Sequence, residues 1–223
     1  MASQSQELVV VTIETAPLGE NTYLVYKSNS RQAIAIDPGI ESSRIVEEIT
    51  SRELEVVAIL NTHGHGDHIG GNATLKEMFP SAPLIIGTGD SVMLTDPNAN
   101  LSWMAGLEIV SPPPDRTVSE GDRLEFAGIE LEVLDVPGHT PGHVAYLIRQ
   151  TEPWYVFVGD VLFAGSVGRT DIPGGDGRRL LQSIREKLLT LPPETRVFPG
   201  HGPTTTVGQE KWTNPYLQGP LLL

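Results

Sequence analysis

The chain's six histidines lie in three short segments: His63, His65 and His68 in NTHGHGDHIGG, His139 and His143 in PGHTPGH, and His201 in PGHGP. Neutral imidazole is a good donor for zinc, iron or manganese, and ionised carboxylates serve beside it. Asp67 lies inside the first segment, and Asp160 closes the run VGD at 158–160. His63 and His65 are two residues apart, so in an extended chain both rings project to one side and can grip one ion. Asp67 and His68 follow farther along the loop, which Gly64 and Gly66 allow to turn sharply. His63, His65, Asp67, His68, His139, Asp160 and His201 make seven candidate ligands. A single structural zinc takes about four, and the surplus argues for two metals. His143 opens a predicted strand and has no partner at ligand spacing, so a supporting role is expected of it.

Four strands must carry these groups. The apolar run 56–60 feeds His63, 131–136 feeds His139, 154–158 ends at Gly159-Asp160, and 196–198 feeds His201. Loops at the carboxyl ends of strands are where α/β sheets collect their chemistry, so chain-distant loops can converge on one point. The other elements follow from periodicity. Runs 8–13, 22–26 and 33–36 read as an antiparallel start, 84–86 as a short strand, 123–133 as a hairpin turning at Gly128, and 144–148 as a further strand. Ile45, Val46 and Ile49 fall at helical spacing over 42–52, and a second helix starts after Gly70-Gly71 and ends near Pro80. A third spans 177–190, with Leu180, Leu181, Ile184, Leu188 and Leu189 on one face and Asp176 as its cap. The stretch 87–119 is irregular, and Pro112-Pro113-Pro114 marks extended chain within it. This order predicts an α/β fold of two halves, whose sheets pack face to face between outer helices in four layers.

Composition bounds the rest. With 223 residues, 39% of them hydrophobic, one domain over 1–223 is expected. The balance of 15 Lys and Arg against 28 Asp and Glu gives a net charge of −13, which opposes binding to nucleic acid or to an anionic membrane surface. The absence of cysteine excludes disulfides, thiolate nucleophiles and cysteine zinc sites, so any metal must take nitrogen and oxygen donors. No apolar run approaches the ~20 residues of a membrane span, and the N-terminus lacks the basic and apolar regions of a secretory signal. A cytoplasmic protein is therefore expected. The C-terminal NPYLQGPLLL is expected to pack on its own domain.

The segments THGHGDH at 62–68, PGHTPGH at 137–143, VGD at 158–160, GRTDIPGGD at 168–176 and FPGHGPTT at 198–205 resemble, in type and order, those of the metallo-β-lactamase superfamily. The resemblance is closer to its glyoxalase II-like branch of hydroxyacylglutathione hydrolases. It implies a four-layer αββα sandwich with the site at the shared edge of the sheets. It also implies that His63, His65 and His139 hold one metal, that Asp67, His68 and His201 hold the other, and that Asp160 bridges them. The implied cofactors are two divalent ions, zinc foremost, with iron or manganese as alternatives. Two such ions roughly 3.5 Å apart can activate a shared hydroxide to attack an acyl carbonyl, with Asp67 as the catalytic group that orients it or accepts its proton.

The expected substrate is a small anionic thioester, for which Arg169 in the GRTD loop is the candidate substrate-binding cation, its fork suited to a carboxylate. The competing role for Arg169 is an ion pair with Asp171 or Asp176 that holds the loop. Larger members of the branch carry a C-terminal helical domain that contacts glutathione, and that domain is not expected here. Asp171 stands where those enzymes have an aromatic residue. Two other activities of the superfamily stay open: a persulfide dioxygenase with one iron on His63, His139 and Asp160, and a lactonase.

Overall fold

The computed structural model describes residues 7–218. β1 (Leu8–Thr15), β2 (Glu20–Lys27) and β3 (Gln32–Ile36) pair antiparallel in chain order. β4 (Glu55–Asn61), β5 (Leu84–Gly87) and β6 (Arg116–Val118) then extend the sheet in parallel, giving six strands in sequence order. The switch to parallel pairing follows from the crossover helices: α1 (Ser42–Ser51) joins β3 to β4, and α3 (Asn72–Met78) lies between β4 and β5. α2 (Gly66–Ile69) is a single turn inside the histidine-rich loop.

The second sheet takes β7 (Arg123–Phe126), β8 (Ile129–Asp135), β9 (Val144–Ile148) and β10 (Tyr155–Gly159) as an antiparallel meander. A small hairpin, β11 (Leu162–Phe163) and β12 (Ser166–Val167), precedes α4 (Gly177–Ser183). The chain then returns as β13 (Arg196–Pro199), parallel to β10, and ends in β14 (Thr205–Thr206) and α5 (Val207–Thr213).

Strand alternation sorts the apolar residues into three layers of contact. Tyr23, Ile34, Ile36 and Leu60 from the first sheet meet Leu131, Val133, Tyr146, Phe157 and Phe198 from the second. Ala33, Ala35 and Ile59 face the other way, onto Ile45 and Ile49 of α1 and Leu75 of α3. Ala145, Leu147, Val156 and Val197 face Leu180 of α4 with Ile184 and Leu188 beyond it. The result is the αββα sandwich the periodicity predicts. Leu217 is buried in the last of these layers, in keeping with a tail packed on its own chain. Residues 219–223, including the three terminal leucines, lie outside the described residues.

Several elements differ from the sequence reading, and α2, β11, β12, β14 and α5 have no counterpart in it. β6 forms directly after the triple proline, with no alternation long enough to announce it. The helix predicted over 177–190 keeps its cap, Asp176 accepting the Arg179 N–H at 2.9 Å. It widens into a π turn over Ile184–Leu188, where the Leu189 N–H bonds the Ile184 carbonyl. The stretch 87–119 contains two 3₁₀ turns, Thr88–Leu94 and Ser102–Ala105. Among the described residues no helix is long and apolar enough to cross a membrane.

Candidate metal centre

His63 and His65 follow β4, Asp67 and His68 ride on α2, His139 follows β8, Asp160 follows β10 and His201 follows β13. All these strands deliver their carboxyl ends to one edge of the sandwich. Buried polar contacts hold the ends there. The Tyr146 hydroxyl donates to the Asn61 carbonyl at 2.9 Å. Across the sheets, the Tyr23 hydroxyl donates to the Pro199 carbonyl at 2.6 Å, and Asn21 Nδ2 reaches the carbonyls of Pro199 at 3.1 Å and Gly202 at 2.8 Å. β2 thereby fixes the loop that carries His201.

Two groups of donors form. In the first, His65 Nδ1 lies 3.1 Å from His63 Nε2 and 2.9 Å from His139 Nε2, so three imidazole nitrogens converge within one coordination radius. In the second, Asp67 Oδ2 lies 3.3 Å from His201 Nε2 and 3.9 Å from His68 Nε2. Asp160 faces both groups: Oδ1 is 3.4 Å from His68 Nε2, and Oδ2 is 3.6 Å from both His139 Nε2 and His201 Nε2. All seven predicted ligands thus meet at one place. His143 stands outside both groups, its ring stacked on His63 at 4.5 Å and its Nε2 donating to the Val158 carbonyl at 3.1 Å.

The outer nitrogens of four rings face acceptors, and this fixes which nitrogen keeps its lone pair. His139 Nδ1 donates to the Arg169 carbonyl at 2.8 Å, His201 Nδ1 to the Gly19 carbonyl at 3.2 Å, and His68 Nδ1 to Asp37 Oδ2 at 3.2 Å. The Thr62 hydroxyl gives its proton to Asp37 Oδ2 at 2.7 Å and accepts from His63 Nδ1 at 3.1 Å. In each case Nε2 is left as a donor atom aimed at the centre. His68 Nε2 and Asp160 Oδ1 are buried without a hydrogen-bond partner, a costly state for polar atoms unless a cation completes them. A side chain at position 200 would fill the space, since a Cβ on Gly200 would sit 2.3 Å from Asp160 Oδ1 and 2.6 Å from His68 Cε1. Nitrogen and oxygen donors in this mixture fit divalent transition ions.

Burial, reinforced by the neighbouring rings, lowers His63 well below the usual imidazole range and His65 to about 3. Burial acts the same way on His68 and His201, but there carboxylates prevail, Asp160 foremost for His68 and Asp67 for His201, and both are raised. Burial would also raise Asp67 and Asp160, yet the histidines, His68 first, hold both ionised.

The histidine-centred reading missed two acids, each within three residues of the end of a first-sheet strand. Asp37, which follows β3 and is 2% exposed, supports His63 and His68 and also accepts the Thr62 N–H at 2.7 Å. Asp90, three residues past β5, accepts Thr140 Oγ1 at 2.5 Å, the Gly142 N–H at 2.6 Å and the Gly64 N–H at 3.3 Å, tying the first histidine loop to the second. Burial raises its carboxyl despite these donors. The role expected of Gly64 and Gly66 also needs correction. Neither adopts a left-handed turn; the chain needs them because a Cβ would meet Met93 Cβ at 2.4 Å and Ser102 Cβ at 2.8 Å. Arg169 lines the cleft over the centre and is paired with Asp171 through Nε–Oδ1 at 2.8 Å and Nη2–Oδ2 at 3.0 Å.

A sequence model of the metallo-beta-lactamase superfamily matches residues 15–201. The chain is 39% identical over 204 residues to the probable metallo-hydrolase YqgX of Bacillus subtilis, covering 91% of this chain and 94% of that one. It is 38% identical over 199 residues to the hydroxyacylglutathione hydrolase GloC of Haemophilus influenzae, covering 89% and 92%. Among solved structures, the BLEG-1 B3 metallo-beta-lactamase superposes with a TM-score of 0.89 at 37% identity, over 95% of this chain and 100% of that one. TTHA1623 in a di-iron-bound form gives 0.82 at 44% identity, over 93% and 100%.

Proposed function

The chain belongs to the metallo-beta-lactamase superfamily, and on that premise we propose that it is a dinuclear metallohydrolase that cleaves a small anionic thioester of the hydroxyacylglutathione type. The observation that carries the reading is Asp160, whose two oxygens face one histidine of the first group and two of the second. His63, His65 and His139 would hold one divalent ion, Asp67, His68 and His201 the other, and Asp160 both; zinc is the first choice, with iron or manganese as alternatives. Two ions so held supply an acidified water near neutral pH and a Lewis acid for the carbonyl oxygen.

The protein's own part is positioning and proton handling. Asp67, kept ionised by His68 and His201, orients the attacking water and takes its proton at Oδ1, the oxygen not turned to those two rings. A thiolate can leave without an acid to protonate it, so a thioester asks no further acid of the site. Arg169 would exchange Asp171 for a carboxylate of the thiol arm. The cytoplasm, where thiols stay reduced, is the proposed setting. The 38% identity to the enzyme named as a hydroxyacylglutathione hydrolase supports the substrate class.

The test is turnover of lactoylglutathione, acyl-CoA, lactone, penicillin and glutathione persulfide by protein reconstituted with zinc or iron. Thioester cleavage without oxygen is expected. Asp67→Ala should lose turnover by about a thousandfold while keeping the far-ultraviolet spectrum of the folded protein. Oxygen uptake on persulfide with one iron per chain, or a lactone or penicillin cleaved in preference to every thioester, would overturn the reading.

A further inference from the structure

Leu18, Ile40, Leu101, Met104, Leu107 and Ile109 line the cleft that contains His65, Asp67, His139, Asp160 and His201, a space of about 590 Å³. Leu18 is 50% exposed, Met104 53% and Leu107 36%. A group of large apolar side chains left open beside reactive donors marks a surface that a ligand covers. Arg169 is the only Lys or Arg in that lining among the described residues, and Asp171 already pairs with it.

The apolar wall is firmly built. Asn100, 1% exposed, donates from Nδ2 to the carbonyls of Met93 at 3.1 Å and Ile109 at 2.8 Å, while its Oδ1 accepts the Ser102 N–H at 3.0 Å. Ser102 Oγ accepts the Ile109 N–H at 3.1 Å, and the Asn100 carbonyl accepts the N–H of Gly66, the residue before Asp67, at 2.9 Å. The wall and the metal loop therefore share one hydrogen-bonded frame. Leu101 holds a left-handed φ of 59° at the start of the turn, a conformation unfavourable for a branched side chain and kept here by its surroundings.

We propose that this wall receives the acyl arm of the substrate and that the arm is a medium-length alkyl chain. The inference rests on the thioester part of that reading and replaces its hydroxyacyl arm with an alkyl one, leaving the thiol arm to Arg169. A small hydroxyacyl arm would leave Met104 and Leu107 uncovered and would set its hydroxyl against the apolar side chains of the wall.

The test uses two series with glutathione as the common thiol, on zinc-loaded protein. S-methyl-, S-butyl- and S-hexylglutathione cannot be hydrolysed, and their binding is measured by calorimetry. Acetyl-, butyryl-, hexanoyl- and lactoylglutathione are measured by hydrolysis. Affinity and kcat/KM are expected to rise about twofold to fourfold per methylene. The double variant Met104→Ser, Leu107→Ser should flatten both slopes. Arg169→Ala should weaken every member alike and leave the slopes unchanged. Equal binding of the methyl and hexyl compounds, or faster cleavage of lactoyl- than of hexanoylglutathione, would overturn the proposal. If the alkyl series keeps its slope while no acyl compound is cleaved, the wall's preference stands and the thioester reading falls.

Discussion

The two donor groups on either side of Asp160 come from the same sheet edge and differ in charge and access. His63, His65 and His139 are 0%, 7% and 3% exposed, and burial keeps the His63 and His65 rings neutral. In the other group, the side chains of Asp67 and His201 are 17% and 28% exposed. There His68 and His201 lean on carboxylates that raise them above the usual imidazole range against burial. The first group is dry, and two of its three rings are held neutral, ready for a cation. The second carries acids and must release protons to take one. A strand end thus dictates where a ligand arrives, while the company it meets dictates its charge.

The largest expected effect comes from removing what joins the groups. Asp160→Ala should lower thioester turnover by about a thousandfold or more and leave the protein unable to keep two metals through gel filtration. A variant that keeps both would show that the groups stand independently. Next comes the support beneath them. Asp37→Ala strands the Thr62 N–H, the Thr62 hydroxyl and His68 Nδ1 in the interior. It should cost about 3 kcal/mol of stability in urea denaturation and weaken metal binding roughly tenfold to a hundredfold. Asp37→Asn, which keeps an acceptor toward Thr62, should fall between that variant and the native chain.

The smallest effect is in pH. Since His68 and His201 are raised, the second metal should bind more tightly as pH climbs from about 6.5 through their shifted values, whereas His63 and His65, already neutral there, add no such slope to the first. The sign reverses for the metal-free fold. Stabilisation by those two imidazolium–carboxylate contacts is complete below about pH 6.5 and is lost as pH rises through the raised values. Metal titrations at pH 6, 7 and 8, with urea denaturation of the chelated protein, would check both signs. Equal pH slopes for the two metals would erase the distinction between the groups.

The sequence makes the ligands readable because their spacing is local. HGHGDH sets out four donors within six residues, and each remaining donor sits next to a glycine after an apolar run. The layers are readable for the same reason, since alternation over β3, β8 and β9 sorts side chains onto two faces. What supports the ligands is hidden, because its meaning is tertiary. Asp37 acts 25 and 31 residues away on Thr62 and His68, and Asp90 acts 50 residues away on Thr140. Neither residue has a local pattern to set it apart from a turn or surface acid. One cue was nonetheless present: both closely follow first-sheet strands at the edge where the histidines gather. In sequence Gly64 and Gly66 look like turn formers, because the packing of residues 93 and 102 against them leaves no trace in the loop itself.

The central claim is that two cations share one carboxylate, and the most direct measurement is metal content per chain by elemental analysis after reconstitution and desalting. The account predicts two ions in the native protein, falling to one in a His68→Ala, His201→Ala variant that still binds through the first group. One ion or none in the native protein, or two retained after the second group is removed, would contradict it.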